Sequence, residues 1–145
     1  MSEVSMPLPS DIDGNNPPRV LVVEDNDLLR ALLRTVLEEA GYEVDDARGG
    51  QEALLRMGEH TYDVVLTDYH MPGMDGIQLL KVIKAWWPRI PVVFISGEPD
   101  PLRRRAIKQG AHAWLSKPCD AALLRLTVHS ALCNAAISPM RGLLP

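Results

Sequence analysis

Residues 19–41 read RVLVVEDNDLLRALLRTVLEEAG. A short β-branched run, Arg19–Val23, gives way to three polar residues and then to an amphipathic stretch. The run has the length and composition of a strand buried on both faces. Asn26 or Asp27 can cap a helix through about Ala40. Its Leu28, Leu29, Leu32, Leu33, Val36 and Leu37 fall at helical spacing. Gly41 is placed to end it, since glycine tolerates the positive φ that commonly closes a helix. Strand, polar turn, capped helix and glycine stop make one βα unit.

The same unit recurs along the chain. Tyr42–Asp46 is a more polar strand, expected at a sheet edge, and Gln51–Met57 a short helix. Asp63–Thr67 is the third strand, followed by a helix from Asp75 to about Trp87 that Pro88 stops. Pro91–Ile95 is the fourth strand, and Leu102–Gln109 a helix closed by Gly110. His112–Leu115 is the fifth strand. Asp120 can cap a last helix to about Cys133, with Leu124, Val128, Ala131 and Leu132 on one face. Five βα units predict an α/β fold: a five-stranded parallel sheet, doubly wound, with helices on both faces.

The chain has 145 residues, enough for one domain that needs no disulfide or structural metal to fold. A net charge of −4 does not mark a general nucleic-acid or membrane-surface binder. Two cysteines, Cys119 and Cys133, make no disulfide scaffold and suit a reduced, cytoplasmic setting. No apolar run reaches the ~18 residues of a membrane span. Residues 1–18, rich in Pro, Ser, Asp and Asn, are expected to be a disordered extension without a signal peptide. Residues 19–136 are the expected domain, and 137–145, with Pro139, Gly142 and Pro145, a flexible tail.

In a doubly wound sheet, ligands collect outside the carboxyl ends of the strands. Glu24 and Asp25 follow the first strand, Asp68 the third, Ser96 the fourth and Lys117 the fifth. Three carboxylates on one rim repel each other and need a cation to coexist ionised. Hard oxygen ligands with spare coordination positions suit Mg²⁺, which often bridges to phosphate. A carboxylate beside that ion is a nucleophile toward phosphorus. The cation, the Lys117 ammonium and the Ser96 hydroxyl can spread the charge on the transferring oxygens.

The segments VLVVEDN (20–26), VVLTDYHMPGMDG (64–76), VVFISG (92–97) and AWLSKP (113–118) resemble the receiver domains of two-component response regulators. The resemblance runs from about Arg19 to Cys133. It implies a flavodoxin-like (βα)5 fold with strand order 2-1-3-4-5. It further implies that Asp68 accepts a phosphoryl group from a histidine kinase or histidine phosphotransfer protein. Mg²⁺ would be held by Glu24, Asp25, Asp68 and the backbone carbonyl of His70, with Asp25 a more direct ligand than Glu24. Ser96 and Lys117 would contact the phosphoryl group. The Lys117–Pro118 bond would be cis. Ser96 and Trp114 would form the switch, the ring following the hydroxyl inward on activation. Such a chain is a signalling domain with intrinsic phosphorylation and dephosphorylation chemistry rather than a metabolic enzyme. The expected partners are the kinase and a downstream protein effector, with no direct nucleic-acid or membrane contact, and the chain is expected as a monomer or weak homodimer. The sequence leaves no room for a helix-turn-helix after Ala136: if the protein is no longer than this its output is expected to be protein–protein binding, and the alternative is a piece of a longer transcription factor.

Departures from the family pattern bear on switching. Trp114 stands where Tyr or Phe is usual, and Cys119 where Phe is common. His70 occupies the position that tunes phosphoryl lifetime. A bulky indole whose N–H wants a partner is expected to be partly exposed at rest. Asp75 reads as turn and cap chemistry, and Trp86 and Trp87 as packing at a helix end with one indole exposed. Arg103, Arg104 and Arg105 read first as a solvated face and second as a protein-docking surface. His60, His112 and His129 show no metal-ligand spacing. A dehalogenase-like phosphatase would place a second Asp where His70 stands. A flavodoxin-like flavin carrier would need a phosphate-cradling loop where Glu24 and Asp25 stand. A degenerate receiver would lack one of the acids or the lysine.

Overall fold

The computed structural model describes residues 16–98 and 100–142, with side chains through 134. The expected N-terminal extension lies outside the described residues up to 15, as does the end of the expected tail, 143–145. The elements run β1 (Arg19–Val23), α1 (Asp27–Glu39), β2 (Glu43–Ala47), α2 (Gly50–Glu59), β3 (Val64–Thr67), α3 (Gly76–Trp86), β4 (Val92–Ser96), α4 (Asp100–Lys108), β5 (Ala113–Ser116) and α5 (Ala121–Gly142). The strands are all parallel in the order β2-β1-β3-β4-β5. This is the flavodoxin-like doubly wound (βα)5 sheet.

The strand sequences follow from their place in the sheet. β1, β3 and β4 are near-continuous apolar runs because helices cover both of their faces. In β1, Leu21 and Val23 belong to the core layer on one side of the sheet, which also holds Ala53 and Met57 of α2, Ile77, Leu80 and Ile83 of α3, and Ala106 of α4. Val20 and Val22 belong to the layer on the other side, which also holds Leu33 and Leu37 of α1 and Leu124, Val128 and Leu132 of α5. The strand period of two thus sorts the core into two layers. β2 pairs on one side only, and its polar pattern fits that edge position.

Caps set the helix ends. The Asn26 carboxamide accepts from Leu29 N–H at 2.8 Å, so Asn26, and not Asp27, caps α1. Asp75 and Gln78 form a reciprocal capping box at the start of α3, which confirms a structural role for Asp75. Gly41 and Gly110, with φ of +100° and +108°, follow α1 and α4.

Two expectations need correction. α5 continues past Cys133 to Gly142, into the expected tail. The first residues past Cys133, Asn-Ala-Ala-Ile, hold no glycine stop, and Ala is the strongest helix former, so nothing ends the helix there. Trp114 is not partly exposed: it is 8% accessible and lies stacked on Phe94, ring centroids 5.1 Å apart and 16° from coplanar. The two rings are direct partners in the β4–β5 register, so the indole buries its area on a neighbouring ring rather than in solvent. Of the adjacent indoles, Trp86 is exposed and Trp87 packs partly against the core.

Candidate functional site

The strand order reverses between β1 and β3, and the crevice beyond their carboxyl ends is where such sheets place a site. Three of the candidate residues are anchored by hydrogen bonds at the end of the ladder. Glu24 N–H donates to the Ala47 carbonyl (3.0 Å), Asp68 N–H to Val23 (3.1 Å) and Lys117 N–H to Ser96 (3.0 Å). Their backbones are therefore fixed by the sheet, while their side chains lie beyond it.

Those side chains converge. One carboxylate oxygen each from Glu24, Asp25 and Asp68 lies within 4.8 Å of the others. The Lys117 ammonium stands 2.9 Å from Asp68 Oδ2 and 3.4 Å from Glu24 Oε1. Glu24 and Asp68 are buried and Asp25 is exposed, so the cluster is closed at the back and open at the front. The peptide bond between Lys117 and Pro118 is cis.

The electrostatics record the crowding. Burial pushes the Glu24 carboxyl above its ordinary range, and the negative charge of Asp68 pushes it further. The Asn26 N–H, 3.1 Å from Glu24 Oε2, and the Lys117 ammonium offset this only in part. Burial alone would lower the Lys117 pKa, but hydrogen bonding to Asp68 and the charges of Asp68 and Glu24 outweigh it. One ammonium thus faces three carboxylates. The donor set fits a hard divalent cation, which would supply the missing charge.

Ser96 is buried as the last residue of β4 rather than the first beyond it. Its hydroxyl oxygen accepts from the Glu98 N–H at 3.2 Å and so is engaged within its own loop. His70 N–H lies 3.4 Å from Asp68 Oδ1, while the exposed imidazole turns outward, its Nε2 3.0 Å from Glu98 Oε2. That contact joins the loop after β3 to the loop after β4 across the open side of the rim. Trp114 is not at the rim; it packs in the core on Phe94.

Two residues at the site are absent from the sequence expectations. Glu98 is one, and its contact with His70 spans two loops that sequence order does not relate. Arg30 is the other: it donates to the Glu24 carbonyl at 2.9 Å from a nearly buried side chain. Its signal was available, because Arg30 lies three and seven residues before Leu33 and Leu37, on the stripe those leucines bury.

The family model of the response regulator receiver domain matches residues 20–129. The chain is 42% identical over 111 residues to the sensory/regulatory protein RpfC of Xanthomonas campestris pv. campestris, covering 73% of this chain and 15% of that protein. It is 37% identical over 111 residues to the two-component response regulator ORR11 of Oryza sativa subsp. indica, covering 74% of this chain and 76% of that protein. The signal receiver domain of an HD domain-containing protein from Pseudomonas fluorescens Pf-5 superposes with a TM-score of 0.79 at 30% identity, covering 83% of this chain and 98% of that one. The chain therefore spans a small part of some relatives and most of others.

Proposed function

This chain belongs to the response regulator receiver domain family, and from that membership we propose that Asp68 is its phosphoacceptor. A carboxylate oxygen of Asp68 attacks the phosphorus of a phosphohistidine on a sensor histidine kinase or histidine phosphotransfer protein. An O–P bond forms, the N–P bond breaks, and the electron pair returns to the donor's imidazole. The observation that carries this reading is the buried Asp68 carboxylate held 2.9 Å from the Lys117 ammonium and beside two further acids.

Glu24, Asp25 and Asp68, with the His70 carbonyl, would hold Mg²⁺. The ion supplies charge to offset the phosphoryl oxygens when bound. Lys117 neutralises a second oxygen and keeps the Asp68 side chain oriented. Ser96 turns from Glu98 N–H toward the phosphoryl group, and that movement is the first step of the switch. The product is an acyl phosphate that water can hydrolyse at the same rim, so the chain carries its own phosphorylation and dephosphorylation chemistry.

The partners on this reading are proteins. An apolar groove of about 450 Å³ between α1 and the start of α5 is lined by Leu29, Leu32, Val36, Pro118 and Leu124 and reaches Lys117. Its position suits a donor protein that must present a side chain to Asp68. The downstream partner on this reading is a protein effector, in a cytoplasmic setting, with the chain a monomer or weak homodimer. No helix among the described residues is long and apolar enough to cross a membrane.

The test is direct. With Mg²⁺ and acetyl phosphate, the intact mass should rise by one phosphoryl group, and Asp68→Asn should stay unmodified. Labelling that persists in Asp68→Asn, with the peptide mapped elsewhere, would overturn the assignment.

A further inference from the structure

Arg30 carries a positive charge into the interior beside the acidic rim, and the chemistry proposed for Asp68 makes no use of it. Its side chain is 11% accessible. Nη1 donates to the Glu24 carbonyl oxygen at 2.9 Å, and Nη2 lies 2.6 Å from Asp27 Oδ1. Nε faces Asp46 Oδ2 of β2 at 3.8 Å. A guanidinium taken out of water is tolerated only when paired and hydrogen-bonded, and its donors sit in a rigid planar fork. Arg30 therefore ties the first turn of α1, the β1–α1 turn and the edge strand into one rigid corner.

The carbonyl that Arg30 holds belongs to the peptide unit joining Glu24 to Asp25. Because that unit is planar, fixing its oxygen fixes the direction in which the chain enters Asp25. Glu24 is buried and held besides by the Asn26 N–H and Lys117. Asp25 is exposed, and its aim depends on the backbone it leaves from. We propose that Arg30 is a positioning residue for the divalent-cation site: it sets the Glu24–Asp25 peptide so that both carboxylates converge with Asp68. This rests on the reading that the acidic rim binds Mg²⁺.

An opposing effect must be weighed. A cation near a metal site repels the metal, so removing Arg30 could tighten binding. Asp27 at 2.6 Å and Asp46 already offset the guanidinium charge. The ordering effect is therefore the larger of the two, and loss of Arg30 should weaken the metal site.

The experiment is calorimetric titration of Mg²⁺ into wild type, Arg30→Met, Arg30→Lys and Asp25→Ala, with folding checked by circular dichroism. Loss of a buried charged hydrogen bond should raise the Mg²⁺ Kd of Arg30→Met about tenfold. Arg30→Lys keeps the charge but cannot reach both acceptors, so its Kd should fall between wild type and Arg30→Met. A purely structural role would lower the melting temperature and leave the Kd of the folded protein unchanged, which would overturn the proposal. Tighter binding in Arg30→Met, or wild-type binding in Arg30→Lys, would do the same. Should Arg30→Met fail to fold, Arg30→Lys decides alone: weakened binding supports the proposal and wild-type binding overturns it. Wild-type affinity in Asp25→Ala would instead show that the acidic rim is not the Mg²⁺ site, a separate failure that takes the proposal down with it.

Discussion

A Cβ built on Gly76 would stand 2.5 Å from the Asp68 carbonyl oxygen, 2.7 Å from the Phe94 ring and 2.8 Å from Tyr69 Cα. Two of those three neighbours are backbone atoms, so they cannot swing aside. Gly76→Ala should therefore cost about 1–3 kcal/mol by overpacking and displace the Asp68 backbone. Urea denaturation measures the first effect, and the acetyl phosphate reaction the second; a variant of wild-type stability would refute the close packing. Glu24 gives a pH dependence. Its folded pKa is raised above the ordinary 4.5, so between those values the folded protein binds a proton more tightly than the unfolded chain does. Stability of the metal-free protein should then fall as pH rises through that window. Glu24→Gln should flatten that slope in denaturant melts across the window, and an unchanged slope would exclude Glu24 as its source. Glu24, Asp25, Asp68 and Lys117 were legible in the sequence because each lies within two residues of the end of an apolar strand run. Arg30 was harder to find because the expectation for a buried stripe is apolar. The His70–Glu98 contact was not legible, since it depends on how two loops lie across the rim.

Element type was legible throughout, and element boundaries moved by a residue or two, as the last turn of a helix and the ends of strands generally do, except at the end of α5, which runs nine residues past the expected stop. What periodicity could not resolve is how wide the buried stripe of α1 is. Six residues fall at helical spacing, yet Leu37 is fully buried and Leu28 is 82% accessible. Leu37→Ala should cost about 2–5 kcal/mol, whereas Leu28→Ala should stay within about 0.5 kcal/mol. Equal costs in chemical denaturation would mean that α1 is seated differently on the sheet. The expectation that Trp114 is partly exposed failed for a related reason: the size of the indole argued for exposure, but the cross-strand ring of Phe94 covers it. With the indole already stacked on Phe94, the ring has little further to travel on activation. Ser96 can turn toward a phosphoryl group only by leaving the Glu98 N–H, so the disturbance enters the Gly97–Glu98 backbone that leads into α4. Beryllofluoride with Mg²⁺ should accordingly leave the Trp114 share of the emission, taken as wild type minus Trp114→Phe, nearly unchanged. A large shift in that difference would return the indole to the switch.

At the scale of the whole molecule, the acidic rim sets stability against metal binding. Glu24, Asp25 and Asp68 face one ammonium, so without metal their mutual repulsion is an unfavourable contribution that the rest of the core must offset. Asp25→Ala removes one of those charges from an exposed position, which should raise the melting temperature of the metal-free protein. The same substitution removes a proposed Mg²⁺ ligand. A cation that binds only the folded state stabilises it by about 2.7 kcal/mol at one hundred times its Kd. For a chain of this length that is roughly 5–10 °C. Wild type should gain this amount as Mg²⁺ is added, and Asp25→Ala should gain little. The two melting curves should therefore cross: the variant is the more stable protein in chelator, and wild type is the more stable protein in saturating Mg²⁺. A scan of melting temperature against Mg²⁺ concentration tests both halves at once. Parallel curves would mean that Asp25 does not bind the ion, and coincident curves that it does not strain the apo rim either. A variant less stable than wild type already in chelator would mean that Asp25 is held by contacts that outweigh the repulsion.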